Sequence, residues 1–158
     1  MAVIAVGADH AGFTLKQDVG AWLVQRGHRV LDFGTHSTES VDYPDFAAAV
    51  ARSVRGGEAA HGILVCGSGI GMAIAANKIR GVRAAVAADE ATARLSRQHN
   101  DTNVLALGAR ATPTSQALRI VAAWLDAPFE GGRHARRVGK LTELDGAREE
   151  NDVDAAAR

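Results

Sequence analysis

Gly62-Ile63-Leu64-Val65-Cys66-Gly67-Ser68-Gly69-Ile70-Gly71 is the stretch that decides the fold class. Its first five residues form a short apolar run, the mark of a strand buried on both faces. Glycines at 67, 69 and 71 break that run into a tight turn, and Met72 to Lys78 resumes with helical character. Strand, glycine turn and helix in this order begin a β-α-β unit.

The same alternation extends in both directions. Upstream, Val3 to Val6 reads as a strand ending at Gly7, followed by Phe13, Leu15, Val19, Trp22 and Leu23 at mostly helical spacing. His28 to Phe33 reads as a second strand. A polar loop, Thr35 to Asp42, then leads to a helix from Tyr43-Pro44 to about Arg55, since proline suits a first helical turn. Downstream, Val82 to Ala88 and Asn103 to Leu107 read as strands, each followed or preceded by a helix: Glu90 to Gln98, Ala117 to Leu125, and Arg133 to about Glu150. Five strands alternating with helices predict an α/β fold with a doubly wound parallel sheet. Right-handed crossovers leave few strand orders, and 2-1-3-4-5 is the order expected. The expected organisation is a single domain over 1–150, with a frayed tail over 151–158. Ligands of such sheets sit beyond the carboxyl ends of the strands. That rule selects Gly7 to His10, Gly34 to Asp42, Cys66 to Gly71, Asp89 and Gly108 to Arg110.

Composition narrows the function. The 158 residues suffice for one core without staples, and 47% of them are hydrophobic, which argues against wholesale disorder. The lone Cys66 excludes an internal disulfide and any zinc site built from several thiolates. The N-terminus lacks a basic segment followed by a long apolar one, and no apolar run approaches the roughly 20 residues of a membrane span. A cytoplasmic setting, with no membrane partner, is expected. Eighteen basic residues balance eighteen acidic ones, so binding to nucleic acid through global charge is not expected either. The neutral total hides a local cluster, because Arg133, Arg136, Arg137 and Lys140 fall within eight residues.

Several constellations could carry chemistry. In Cys66-Gly67-Ser68-Gly69-Ile70-Gly71, exposed amides and a helix N-terminus form an electropositive corner suited to a phosphate or a developing oxyanion. Cys66 faces that corner as a candidate thiolate, although a structural cysteine before a tight turn reads the same way. Asp9-His10 could move protons at sugar hydroxyls, or Asp9 could simply cap a helix. His99 could act as acid or base, and Asn100 could hold a hydroxyl by both donor and acceptor, or the two could belong to a plain polar loop. Arg133 and Arg137, four apart on one helical face, suit a phosphate; a solvated basic face is the alternative. A dinucleotide site matches poorly. The third glycine of Gly67-x-Gly69-x-Gly71 is one position early, although Asp89 lies about 20 residues on.

Taken together, these segments resemble the ribose-5-phosphate isomerase B family, which also contains galactose-6-phosphate isomerase subunits. The resemblance rests on Gly7-Ala8-Asp9-His10-Ala11-Gly12-Phe13, Asp42-Tyr43-Pro44, Cys66 to Gly71, Ala75-Ala76-Asn77-Lys78, Leu95 to Asn103, and Glu130-Gly131-Gly132-Arg133-His134-x-x-Arg137. It implies a Rossmann-like three-layer α/β/α sandwich with a five-stranded parallel sheet. It also implies a homodimer, or a dimer of dimers, with active sites at the interface. The implied reaction is aldose–ketose isomerisation of a phosphosugar through an enediolate, with no metal and no cofactor. By the same resemblance, Cys66 is the proton-abstracting base, while Ser68 and the amides of Gly67, Gly69, Ile70 and Gly71 cradle the enediolate. Asp9 and His99 open the sugar ring, and Asn100 positions its oxygens. Arg133 and Arg137 grip the phosphate, with His10 and Arg110 nearby. Some members use a glutamate in the next helix as base; here Met72 holds that place, which favours the cysteine. Ribose 5-phosphate is the expected substrate, a tetrose, allose or galactose phosphate the close rival. A non-catalytic nucleotide-binding module and a redox-sensing thiol protein are the readings from other classes.

Overall fold

The sheet is built around β3, whose residues alternate between two cores. This computed structural model describes residues 1–156, with side chains described to residue 146. Along the chain run β1 (Val3–Ala8), α1 (Phe13–Gln25), β2 (Arg29–Asp32), α2 (Tyr43–Arg55), β3 (His61–Cys66) and α3 (Ile70–Ala76). They continue with β4 (Ala84–Val86), α4 (Glu90–Asn100), β5 (Val104–Gly108), α5 (Thr114–Asp126) and α6 (Arg133–Ala156). Ile63 and Val65 face one core with Leu15, Val19 and Leu23 of α1, Ala93 of α4, and Ile120 and Trp124 of α5. Leu64 and Cys66 face the other, with Val50 and Ala51 of α2 and Met72 and Ala73 of α3. Alternation with period two thus puts a helical layer on each side, the expected three-layer sandwich.

All five strands pair in parallel, in the order β2-β1-β3-β5-β4. The expected 2-1-3-4-5 order is corrected at its last two positions. The reason lies in the strands themselves. All five residues of β5 are buried, which demands a central place, whereas β4 has three residues, all half-exposed, and suits an edge. Crossover handedness then fixes the layers. α2 and α3 accompany moves toward the β4 edge and share one face; α1 and α4 accompany moves the other way and share the opposite face. The direction reverses between β1 and β3, so their carboxyl ends form the crevice where such sheets bind ligands.

Two boundary differences matter for function. His99 and Asn100, expected in a loop, form the last turn of α4. The α6 backbone extends beyond the expected end near Glu150. The tail expected over 151–158 falls on residues with no described side chains, and 157–158 lie outside the described residues altogether. No helix among the described residues is long and apolar enough to cross a membrane.

One core-facing group titrates. The Nδ1 of His61 is buried without a hydrogen-bond partner among the described residues, and the ring meets Trp124 edge-on at 5.2 Å between centroids. Burial pushes its imidazole below the ordinary value, and the Arg97 charge adds to the effect. The folded chain therefore resists a proton that the unfolded chain takes up below about pH 6.5. Stability from this group is complete above that value and is lost as pH falls toward the folded pKa. Urea midpoints measured between about pH 7 and about pH 5.5 should fall further in the wild type than in His61→Gln. Parallel pH slopes would contradict this.

Candidate active site

The crevice between β1 and β3 gathers the first group of side chains. Cys66 closes β3, 5% exposed, and its Sγ accepts a hydrogen bond from the Gly69 amide at 3.1 Å. Gly69 takes φ +80°, and a Cβ there would lie 3.0 Å from the Leu107 carbonyl carbon, so the turn requires glycine. Ser68 is exposed beside it, its Oγ accepting from the Ile70 amide at 3.3 Å. The Arg110 guanidinium packs so closely over Gly67 that a Cβ there would stand 2.8 Å from it. The Tyr43 ring covers Gly71 in the same manner, at 2.7 Å. Arg110 and Tyr43, from the ends of β5 and α2, therefore wall the Cys66 turn.

Asp9 and His10 form the near side of this crevice. Asp9 is 7% exposed, and its Oδ1 accepts from the Gly12 amide at 3.0 Å. Gly12 is the cap of α1, and among the described residues no side chain bonds its first turn, so Asp9 ties the preceding turn and does not cap the helix. Its own amide donates to the Val65 carbonyl at 3.2 Å, tying the turn to β3. His10 Nδ1 accepts from the Val41 amide at 3.2 Å, which fastens the loop after β2 against the site. Beneath that loop lies Lys16, 1% exposed, with its Nζ donating to Asp32 Oδ2 at 2.7 Å and to the Thr35 carbonyl at 2.8 Å. A buried ammonium costs several kcal/mol unless partnered, so this pairing holds the loop on helix α1. Lys16 is not among the expected site residues; its signal in the sequence is a lysine flanked by the apolar positions of an amphipathic helix.

A second group assembles elsewhere. His99 and Asn100 end α4, and Arg137 projects from α6 into a cavity of about 330 Å³ that they share with His134, Val138 and Leu141. The His99 and His134 rings stack with centroids 4.2 Å apart, and Glu130 Oε2 lies 3.8 Å and 3.7 Å from their Nε2 atoms. Burial holds the His134 imidazole below its ordinary value, with the positive fields of His99 and Arg133 adding to it. Arg133 is exposed on the same helix but outside the lining of this cavity. Glu130 and His134 were not singled out as site residues, although their separation of four residues was visible.

These groups lie at opposite ends of the strands, the first at the carboxyl end of β3 and the second at the amino end of β5. α4 starts beyond the carboxyl end of β4 and returns, so its last turn stands at the amino end of β5. There Val104 pairs with Gly62, four residues before Cys66 meets Gly108. Four residues of strand span on the order of 13 Å. Within one chain, then, Asp9, His10, Cys66 to Gly71 and Arg110 come together, and His99, Asn100 and Arg137 come together apart from them. Each group is flanked by exposed apolar side chains: Ile70 and Ile74, each 57% exposed, beside Cys66, and Leu141 and Leu144, 44% and 60%, beyond His99.

Comparison with known proteins gives a consistent answer. Residues 4–141 match the family described as Ribose/Galactose Isomerase. The chain is 53% identical over 145 residues to ribose-5-phosphate isomerase B of Escherichia coli, covering 92% of this chain and 97% of that protein. It is 44% identical over 142 residues to D-erythrulose-4-phosphate isomerase of Pectobacterium atrosepticum, covering 89% and 93%. Among solved structures, ribose-5-phosphate isomerase B of Clostridium thermocellum superposes with a TM-score of 0.91 at 52% identity, covering 92% of this chain and 99% of that one.

Proposed function

The chain belongs to the Ribose/Galactose Isomerase family, and from that premise we propose that it interconverts ribose 5-phosphate and ribulose 5-phosphate with Cys66 as the base. The observation that carries the reading is the Cys66 sulfur at the mouth of the β1–β3 crevice, beside the amides of the glycine turn. Met72, where some other members have a glutamate, is fully buried and cannot ionise. The sulfur is the one group of that turn able to take a proton from carbon.

In this reading His99 donates a proton to the ring oxygen while Asp9 accepts one from the anomeric hydroxyl, which opens the sugar. The Cys66 thiolate removes the proton from C2, and the electron pair moves toward the carbonyl to form the enediolate. Ser68 and the amides of Gly67, Gly69, Ile70 and Gly71 stabilise its oxygens, an effect worth about 3–4 kcal/mol for one well-placed donor. Transfer of the hydroxyl proton from O2 to O1 and return of the carbon proton to C1 give the ketose. Asn100 orients the hydroxyls. Arg133 and Arg137 hold the phosphate, assisted by His10 and Arg110, and that remote binding energy orients the reacting carbons.

The reading needs two copies of the chain. Cys66 and His99 serve one substrate only if the Cys66 end of the strands in one protomer faces the His99 end in its partner. The exposed Ile70, Ile74, Leu141 and Leu144 flank those two ends, as a buried homodimer contact requires. A dimer of dimers would keep the same arrangement. The lone cysteine, which must stay reduced to act, agrees with a cytoplasmic setting.

A four-carbon substrate is the second reading, because one relative is named for erythrulose 4-phosphate. A kcat/KM panel across four-, five- and six-carbon sugar phosphates separates the two. Ribose 5-phosphate should lead by at least about tenfold, roughly 1.4 kcal/mol of transition-state binding. A lead for the tetrose phosphate would move the assignment to it; no turnover of any aldose phosphate would overturn the function.

A further inference from the structure

Where the end of α4, the loop 127–132 and the first turn of α6 converge, His99, Glu130 and His134 offer three ligand atoms within 4.8 Å of one another. Two imidazole nitrogens and a carboxylate oxygen are the donor set of three-ligand zinc sites, which leave a fourth position to water or an anion. A tetrahedral ion with bonds of about 2.0–2.2 Å sets its ligand atoms about 3.3–3.6 Å apart. The Glu130 contacts, at 3.8 Å and 3.7 Å, are too long for hydrogen bonds and need to close by only a few tenths of an ångström. His134, with its side chain 8% exposed, is the fixed anchor; His99 and Glu130, at 38% and 47%, have room to swing. The rings are 7° from parallel, so they cannot both aim an in-plane lone pair at one ion, and His99 must tilt out of the stack as the metal enters.

We propose that His99, Glu130 and His134 form an inhibitory site for a divalent transition metal, best matched by Zn²⁺, that withdraws His99 from the reaction. The site stands on its ligands alone; only its inhibitory effect rests on the isomerase reading above. Imidazole donors favour zinc, nickel and copper over magnesium and calcium, which seek oxygen. The neighbouring Arg133 and Arg137 add a repulsion that a weakly bound hard cation does not overcome. Nothing in the reaction itself uses the metal.

Calorimetric titration of the full chain with Zn²⁺ tests the site. One ion should bind per protomer, at least tenfold more weakly in Glu130→Gln and in His134→Gln, with no heat from Mg²⁺. Co²⁺ in its place should give visible bands without an intense near-ultraviolet thiolate band. Zn²⁺ should inhibit the wild type over the range in which it binds, reversibly with chelator. Glu130→Gln should keep its basal turnover within about threefold and resist inhibition. Zn²⁺ binding unchanged in both variants would overturn the proposal. So would an intense thiolate band, which moves the metal to Cys66. Zn²⁺ bound at these residues in a chain without isomerase activity would support the site and sink only the isomerase reading.

Discussion

Cys66→Ala should lose about 10²–10⁴-fold in kcat on ribose 5-phosphate while KM stays within about threefold. The split follows from where the sulfur acts. In the proposed mechanism it touches the reacting carbons only, and the guanidinium groups of Arg133, Arg137 and Arg110, with Asn100, supply the affinity for the substrate. Folding should survive. The side chain lost is small, and the Gly69 amide left without its acceptor costs about 1–3 kcal/mol against a typical stability of 5–15 kcal/mol. Cys66→Ser is the companion variant, since its hydroxyl keeps an acceptor for that amide but is a far weaker acid. It should be as well folded as the wild type and nearly as inactive as the alanine variant. Steady-state kinetics with a circular dichroism melt reads both outcomes. Undiminished kcat in either variant would remove Cys66 from the mechanism.

Much of this was legible before any coordinates, for a physical reason. Buried parallel strands write themselves as short apolar runs, and Gly62 to Gly71 shows strand, turn and helix start in ten residues. The tight turn at Gly69 and the buried Asp9 at the end of β1 follow from the same local pattern. What was not legible depends on contacts distant in sequence. The exchange of β4 and β5 turns on how exposed a three-residue strand can be, and local pattern does not separate it from Val82 to Ala88 read as one longer strand. Tyr43 over Gly71, Arg110 over Gly67, and Lys16 beneath the loop after β2 are likewise tertiary facts. Most consequential is the position of His99. A polar segment before β5 gives no sign of which group of site residues it joins. Only the return path of α4 places it at the other end of the strands from Cys66, and under the proposed mechanism that leaves one chain an incomplete site.

Two inactive variants should therefore restore each other. In the proposed dimer, Cys66→Ala removes the base from one half of each site and His99→Asn removes the proton donor from the other half, so each homodimer would contain only defective sites. A mixed dimer contains one site with both residues intact, formed by Cys66 of the His99→Asn chain and His99 of the Cys66→Ala chain. Its other site lacks both. With random pairing of equal amounts, half the dimers are mixed and half their sites work, so about a quarter of wild-type activity should return. Dimers purified through two different affinity tags should show about half. The measurement is the isomerase rate of the co-expressed, doubly selected dimer beside each parent variant. Recovery to about half of wild-type turnover, with both parents inactive, is the expected result. A mixed dimer no more active than its parents would mean that each chain completes its own site, and the shared-site account would be wrong.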